Sequence, residues 1–176
     1  PGFTLTTPPG RARAVLEYWP STIEQPTSVV SVGGRRIDVA PAPGSDDTVE
    51  YEDPQLPAAA AGSGSTIDVP IGRIVGARSG DKGGDANLGV WARTDAAYDW
   101  LAQFLTTDRL RALIPEACDL TVHRYALPNL RAINFLLEGY LGEVVSSSNK
   151  LDPQAKALSE YFRAKVVPIP EDLLAV

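Results

Sequence analysis

Apolar and polar positions change rhythm several times along this chain. Ser28-Val-Val-Ser-Val32 and Arg35-Arg-Ile-Asp-Val-Ala40 are β-branched runs on either side of Gly33-Gly34. Glycine accepts the positive φ of a tight two-residue turn, so this pattern predicts a β-hairpin over 28–40. Ile67–Val75 alternates and is a strand candidate, with Pro70 assigning it to a sheet edge or a strand start. Gly76–Gly84 reads as a glycine-rich loop, and Asn87–Arg93 as the strand that follows it. Ala97, Trp100, Leu101, Phe104 and Leu105 keep helical spacing behind a cap at Thr94 or Asp95. Thr107 caps a continuation through Leu110, Leu113 and Ile114, which Pro115 ends.

Leu120–Leu127 predicts a strand with Leu120 and Val122 on one face and His123 and Tyr125 on the other. Leu130–Leu141 fits two templates. Leu130, Ile133, Leu137 and Leu141 make one helix face, while Ala132–Leu137 also reads as a buried strand; the helix is favoured, with Gly142 at its end. Val144–Leu151 is a short strand candidate, and Asp152-Pro153 is a helix start whose inner stripe is Ala155, Leu158 and Phe162. Lys165–Ile169 closes the order as a final strand. The result is an α+β two-layer sandwich: a mainly antiparallel sheet with helices on one face. A ferredoxin-like split βαβ arrangement is its nearest named form.

Composition divides the chain. Residues 41–66 are dominated by Pro, Ala, Gly, Ser, Asp and Glu, and bury too little apolar surface to offset their ordering entropy. The expected organisation is a tail of another domain at 1–40, an acidic linker at 41–66 and a compact domain at 67–176. The net charge of −6 belongs mainly to the linker region: residues 37–72 hold seven acids and no Lys or Arg. No basic cluster marks a nucleic-acid surface, and no apolar run is long enough to span a membrane. The single cysteine, Cys118, and single histidine, His123, exclude the usual zinc sites and an internal disulfide. The default location is the cytoplasm, and no cofactor or metal is expected.

The chemistry concentrates in 76–89. Arg78, Ser79, Asp81, Lys82, Asp85 and Asn87 stand among glycines, including Gly80 and Gly83. Glycines let a backbone present N–H groups at close range, and with two cations beside them this suits a carboxylate or phosphate. The P-loop spacing and the dinucleotide fingerprint are both absent. The alternative is a structural turn tied by Asp81, Lys82 and Asn87. Asp81 and Asp85 alone are weak grounds for a divalent cation.

Ala77-Arg-Ser-Gly-Asp-Lys-Gly83 and Asn87-Leu-Gly-Val resemble the C-terminal region of the acyclic terpene utilisation (AtuA-like) proteins. Arg124-Tyr-Ala-Leu-Pro-Asn-Leu-Arg-Ala-Ile-Asn-Phe135 and Leu151-Asp-Pro-Gln-Ala-Lys-Ala-Leu158 continue the resemblance, the family more often carrying Gly where this chain has Ala155. Pro1-Gly-Phe, Pro-Pro-Gly10 and Tyr18-Trp-Pro20 resemble the close of the family's larger N-terminal domain, which together with the lack of Met implies an upstream region. The resemblance implies a ferredoxin-like fold without an iron–sulfur cluster, and a bacterial protein of terpenoid-acid breakdown through acyl-CoA thioesters.

Two function classes follow. In the first, Asp81 and Lys82 are catalytic, and Arg78, Ser79, Gly80, Gly83, Asn87, Arg124, Asn129 and Asn134 bind an acyl-CoA or carboxylate ligand in a site shared with the N-terminal domain. Lyase, hydratase and hydrolase chemistry all remain open, and the isolated chain is expected to be inactive. In the second, the domain is a non-catalytic assembly module of a homo-oligomer. His123 is weighed as a general base against a half-buried strand residue, the latter favoured; Cys118 reads as a bystander.

Overall fold

A computed structural model describes residues 14, 21–24, 26–44, 51, 52, 54, 64–142, 145, 148 and 150–174. Much of the expected linker, and parts of the strand expected at 144–151, lie outside them. The chain divides into two units, Tyr18–Glu52 and the remainder.

The smaller unit is a hairpin of β1 (Ser28–Val32) and β2 (Arg35–Val39). Val32 pairs with Arg35 around Gly33 and Gly34, whose φ angles of 57° and 78° are those of a primed turn. The register places Val30, Val32, Ile37 and Val39 on one face, and all four are exposed.

In the larger unit, β3 (Thr66–Pro70) pairs antiparallel with β8 (Val166–Pro170). A 3-10 turn, Ile71–Arg73, separates β3 from β4 (Val75–Lys82). The single strand expected at 67–75 is thus two, broken where Pro70 and Gly72 interrupt it. Then come β5 (Asp85–Ala92), α1 (Asp95–Phe104), α2 (Thr107–Leu113), β6 (Val122–Leu127), β7 (Ala132–Leu137) and α3 (Leu158–Arg163). The main sheet runs β4-β5-β7-β6, antiparallel at every junction. Strands β5 and β6 flank β7 with α1 and α2 in the crossover, which is the split βαβ of a ferredoxin-like sandwich. The fourth position in this sheet is taken by β4, the hairpin partner of β5, while the C-terminal strand pairs with β3 instead.

Alternation explains the core. Leu88 and Val90 of β5, and Ile133, Phe135 and Leu137 of β7, are buried on one face. They meet Leu101, Leu105, Leu110 and Phe162 from the helical segments. This corrects the helix favoured at 130–141: the period there is two, and Leu130, needed for a helical stripe, is 68% exposed. Thr94 caps α1, its hydroxyl accepting from Ala97 N. The α2 cap is Thr106 rather than Thr107, with its hydroxyl accepting from Arg109 N.

Asp152 does not start the last helix. Its two carboxylate oxygens accept from Lys156 N (2.9 Å) and Ala157 N (2.7 Å), forming a turn before α3 begins at Leu158. Residues 145, 148, 150 and 151 are not in a strand.

Candidate functional site

The segment read as a glycine-rich loop is the hairpin of β4 and β5. Pairing continues from Val75↔Ala92 to Lys82↔Asp85, leaving only Gly83 and Gly84 as the turn. Its amides do not form a successive N–H cradle, because the antiparallel ladder directs them alternately toward and away from the partner strand. The glycines have another use. A Cβ on Gly76 would lie 2.3–2.7 Å from the Trp91 ring, so the indole occupies the space that the missing side chain leaves. A Cβ on Gly80 would meet Lys156 Nζ at 3.3 Å and Asn87 Oδ1 at 3.8 Å.

Strand alternation then sorts the candidates onto two faces. On the helix side, Ser79 is buried and its hydroxyl donates to Ala155 O (2.5 Å) while accepting from Ser159 N (2.8 Å). It supplies one of the partners that the first turn of α3 lacks. The close backbone approach at residue 155 is therefore made, and Ala155 reaches it with a positive φ of 51°. Arg124 also belongs to this side: Nε donates to Leu105 O (3.1 Å) and a terminal nitrogen to Ala102 O (2.9 Å), tying β6 to the carbonyl end of α1. Asp81 shares the parity of Ser79, so it points away from its neighbour Lys82. The pair expected to act together is split between faces.

Among the described residues no helix of the core layer lies on the opposite face of the sheet, and that face's residues form three cross-strand rows. In the order β4, β5, β7, β6 these are Gly76–Trp91–Ala132–Leu127, Arg78–Gly89–Asn134–Tyr125 and Gly80–Asn87–Leu136–His123. Lys82, opposite Asp85, extends the β4 edge. Asn87 Nδ2 donates to Asn134 Oδ1 at 3.1 Å, joining two residues 47 apart in sequence. Arg78 and Lys82 are exposed, and Lys156 approaches the same edge from the turn held by Asp152. None of the three cations has a carboxylate partner among the described residues.

The structure thus brings together Arg78, Gly80, Lys82, Asn87 and Asn134, and separates Ser79, Asp81 and Arg124 from them. Gly83 occupies the turn with φ 69°, and Asn129 lies in the 3-10 turn Pro128–Leu130 beyond the end of β6. Lys156 was missed because nothing local links it to Gly80. Its signal was the family's close-approach position at residue 155.

Asp85 Oδ1 accepts from Gly139 N (2.7 Å), committing that carboxylate to a turn. Among the described residues no group of three or more His, Cys, Asp or Glu could hold a metal ion. A notch between α1 and α2, lined by Phe104, Thr106 and Arg109, contains none of the candidates. Cys118 is exposed, and a hydrogen bond with Asp119 raises its thiol pKa, which opposes thiolate formation. No described helix is long and apolar enough to cross a membrane.

A two-layer sandwich with a split βαβ core and a second sheet face of mixed polar and apolar residues defines the class of domain. A family model described as the AtuA ferredoxin-like domain matches residues 69–168, and the chain belongs to that family. No curated protein and no solved structure matches it.

Proposed function

We propose that this domain binds the anionic group of an acyl-CoA or carboxylate on the open face of its main sheet, as part of a site completed by another domain or subunit. In this reading it serves an AtuA-like bacterial protein in the cytoplasmic breakdown of terpenoid acids, and by itself turns nothing over. The observation that carries it is the set of three cations, Arg78, Lys82 and Lys156, along one edge of a glycine-floored face beside the Asn87–Asn134 amide pair. Cations without carboxylate partners offer charge-assisted hydrogen bonds to an anion at little cost in broken contacts. The gripping element is a sheet edge, not a loop.

Titrating the full chain with coenzyme A and with inorganic phosphate, followed by amide chemical shifts, tests this. Both should move the signals of Gly80 and Asn87, and raising salt toward 1 M should weaken both, because exposed charges are screened. Arg78→Ala with Lys82→Ala should cost roughly tenfold in affinity or more, the loss of one to two charge-assisted bonds. Asp81→Asn should change nothing, since it points to the other face. Unchanged shifts at every concentration would refute the reading.

A second reading, an assembly module, is supported by the exposed apolar face of β1 and β2. A two-stranded hairpin is marginal alone in water. Light scattering across a concentration series, with Ile37→Asp as control, separates the two. Mass that rises in the parent and not in the variant supports assembly.

A further inference from the structure

His123 stands in the row that begins at Gly80, and its surroundings select the tautomer of the neutral ring. Its Nε2 lies 2.6 Å from Glu138 Oε1. An ionised carboxylate only accepts, so this contact puts the ring hydrogen on Nε2. Nδ1 of the neutral imidazole is then a bare acceptor, and no described residue donates to it. Glu138 follows β7 directly, and its own N–H donates to Thr121 O (3.0 Å), which anchors the backbone that carries the carboxylate. Tyr125, next on the same face, stacks against the ring at 6.4 Å and 21°. An imidazole with a fixed tautomer, an orienting carboxylate and an open lone pair has the elements of a proton acceptor. The side chains of His123 and Glu138 are 41% and 50% exposed, so the pair is reachable from solvent.

The row supplies the rest of the chemistry. From the edge cation Lys156 over Gly80 it passes the amide of Asn87, then half-buried Leu136, then His123. Neighbouring strands are about 4.8 Å apart, so four strands span about 14 Å. Cation, amide, apolar surface and base in this order match an extended molecule with an anionic head, an apolar body and a proton-bearing far end.

We propose that the ligand of this face is a medium-chain organic acid whose head lies at the β4 edge, whose body crosses Leu136, and whose far hydroxyl or acidified C–H meets His123 Nδ1. This deepens the anion-binding reading above and rests on it. In the transfer step, the ligand's O–H or C–H bond breaks and its electron pair stays on the ligand. The proton goes to Nδ1, and Glu138 holds the resulting imidazolium through Nε2–H. The reverse step returns the proton. Glu138 is a positioning residue.

The full chain has one histidine, so its imidazole nitrogens give one set of signals. With the ring neutral, in alkaline buffer, long-range proton–nitrogen spectra should show the single hydrogen on Nε2; a neutral ring with its hydrogen on Nδ1 would overturn the proposal. 6-Hydroxyhexanoate should shift the Gly80 and Asn87 amides and the His123 ring together. His123→Phe, which keeps a ring against Tyr125, should weaken 6-hydroxyhexanoate roughly three- to tenfold and leave inorganic phosphate unchanged. Glu138→Gln should move the ring nitrogens without unfolding the chain. If 6-hydroxyhexanoate shifts only the β4 amides, the proposal falls and the anion site stands. If phosphate and 6-hydroxyhexanoate both leave Gly80 and Asn87 unmoved, both fall.

Discussion

Two hairpins in this chain are closed by the same dipeptide, yet they have different fates. Around Gly33-Gly34, β1 and β2 pair over five residues and every side chain stays exposed. Around Gly83-Gly84, β4 and β5 pair over eight, and Leu88 and Val90 are fully buried. In the first turn both glycines have positive φ; in the second only Gly83 does, the pattern of the other primed turn. Turn chemistry therefore sets where a chain reverses, and packing sets whether the reversal becomes part of a core. The second hairpin finds β7 on one side and α1 and α3 beneath it. The first has the strands richer in β-branched residues and still no buried face.

The sharpest way to break the comparison is to remove an apolar side chain from each. Leu88→Ala should destabilise by about 2–5 kcal/mol in chemical denaturation, as for a fully buried leucine. Val30→Ala, in the exposed hairpin, should stay within about 0.5 kcal/mol. Equal effects would mean that β1–β2 is packed in solution.

Glycine substitutions come next. Gly76→Ala puts a methyl into the Trp91 ring and should cost about 1–3 kcal/mol, with a change in tryptophan fluorescence. Gly34→Ala meets nothing within 4 Å, so its cost is the positive φ alone, about 1–2 kcal/mol confined to the hairpin. Amide exchange should then rise in β1 and β2 while the melting of the larger unit is unmoved. Ser79→Ala removes the partner of Ser159 N and Ala155 O, and should lower stability by about 1–2 kcal/mol in thermal melting.

The smallest effect is at the surface. Arg131 hydrogen-bonds Asp95 and attracts its charge, holding that carboxyl below the usual aspartate value. A lowered pKa stabilises the fold above the unfolded value of about 4 and loses that contribution as pH falls through the folded one. Arg131→Gln should therefore separate slightly from the parent in melting temperature at neutral pH and converge with it in acid. The gap should close in high salt, because both groups are exposed.

Local patterns carried much of this fold. The Gly-Gly hairpin at 28–40, the strands near 87–93 and 120–127, and the helix after Thr94 follow from β-branched runs, alternation and caps. At 130–141 two periods overlapped, and only the pairing of Ile133 and Phe135 between β5 and β6 selected the strand. At 76–84 the glycine density suggested a loop, because sequence alone does not show that Trp91 and Lys156 need the space. The site was legible as a set of residue types. Arg78, Gly80, Lys82, Asn87 and Asn134 share one face, whereas Ser79, Asp81 and Arg124 serve the other.

By itself the sequence determined the α+β class, the Gly33-Gly34 turn, the family and the concentration of charged residues and Asn87 at 78–87, since these depend on neighbours a few residues apart. Tertiary structure decided which side of the sheet each residue serves. It also brought Asn87 to Asn134, Lys156 to Gly80, and Glu138 to His123. The Asn87–Asn134 and His123–Glu138 contacts depend on strand register, which is set by burying one face against the helices and cannot be read from local spacing, and Lys156 is placed by the turn at Asp152 that leads into α3.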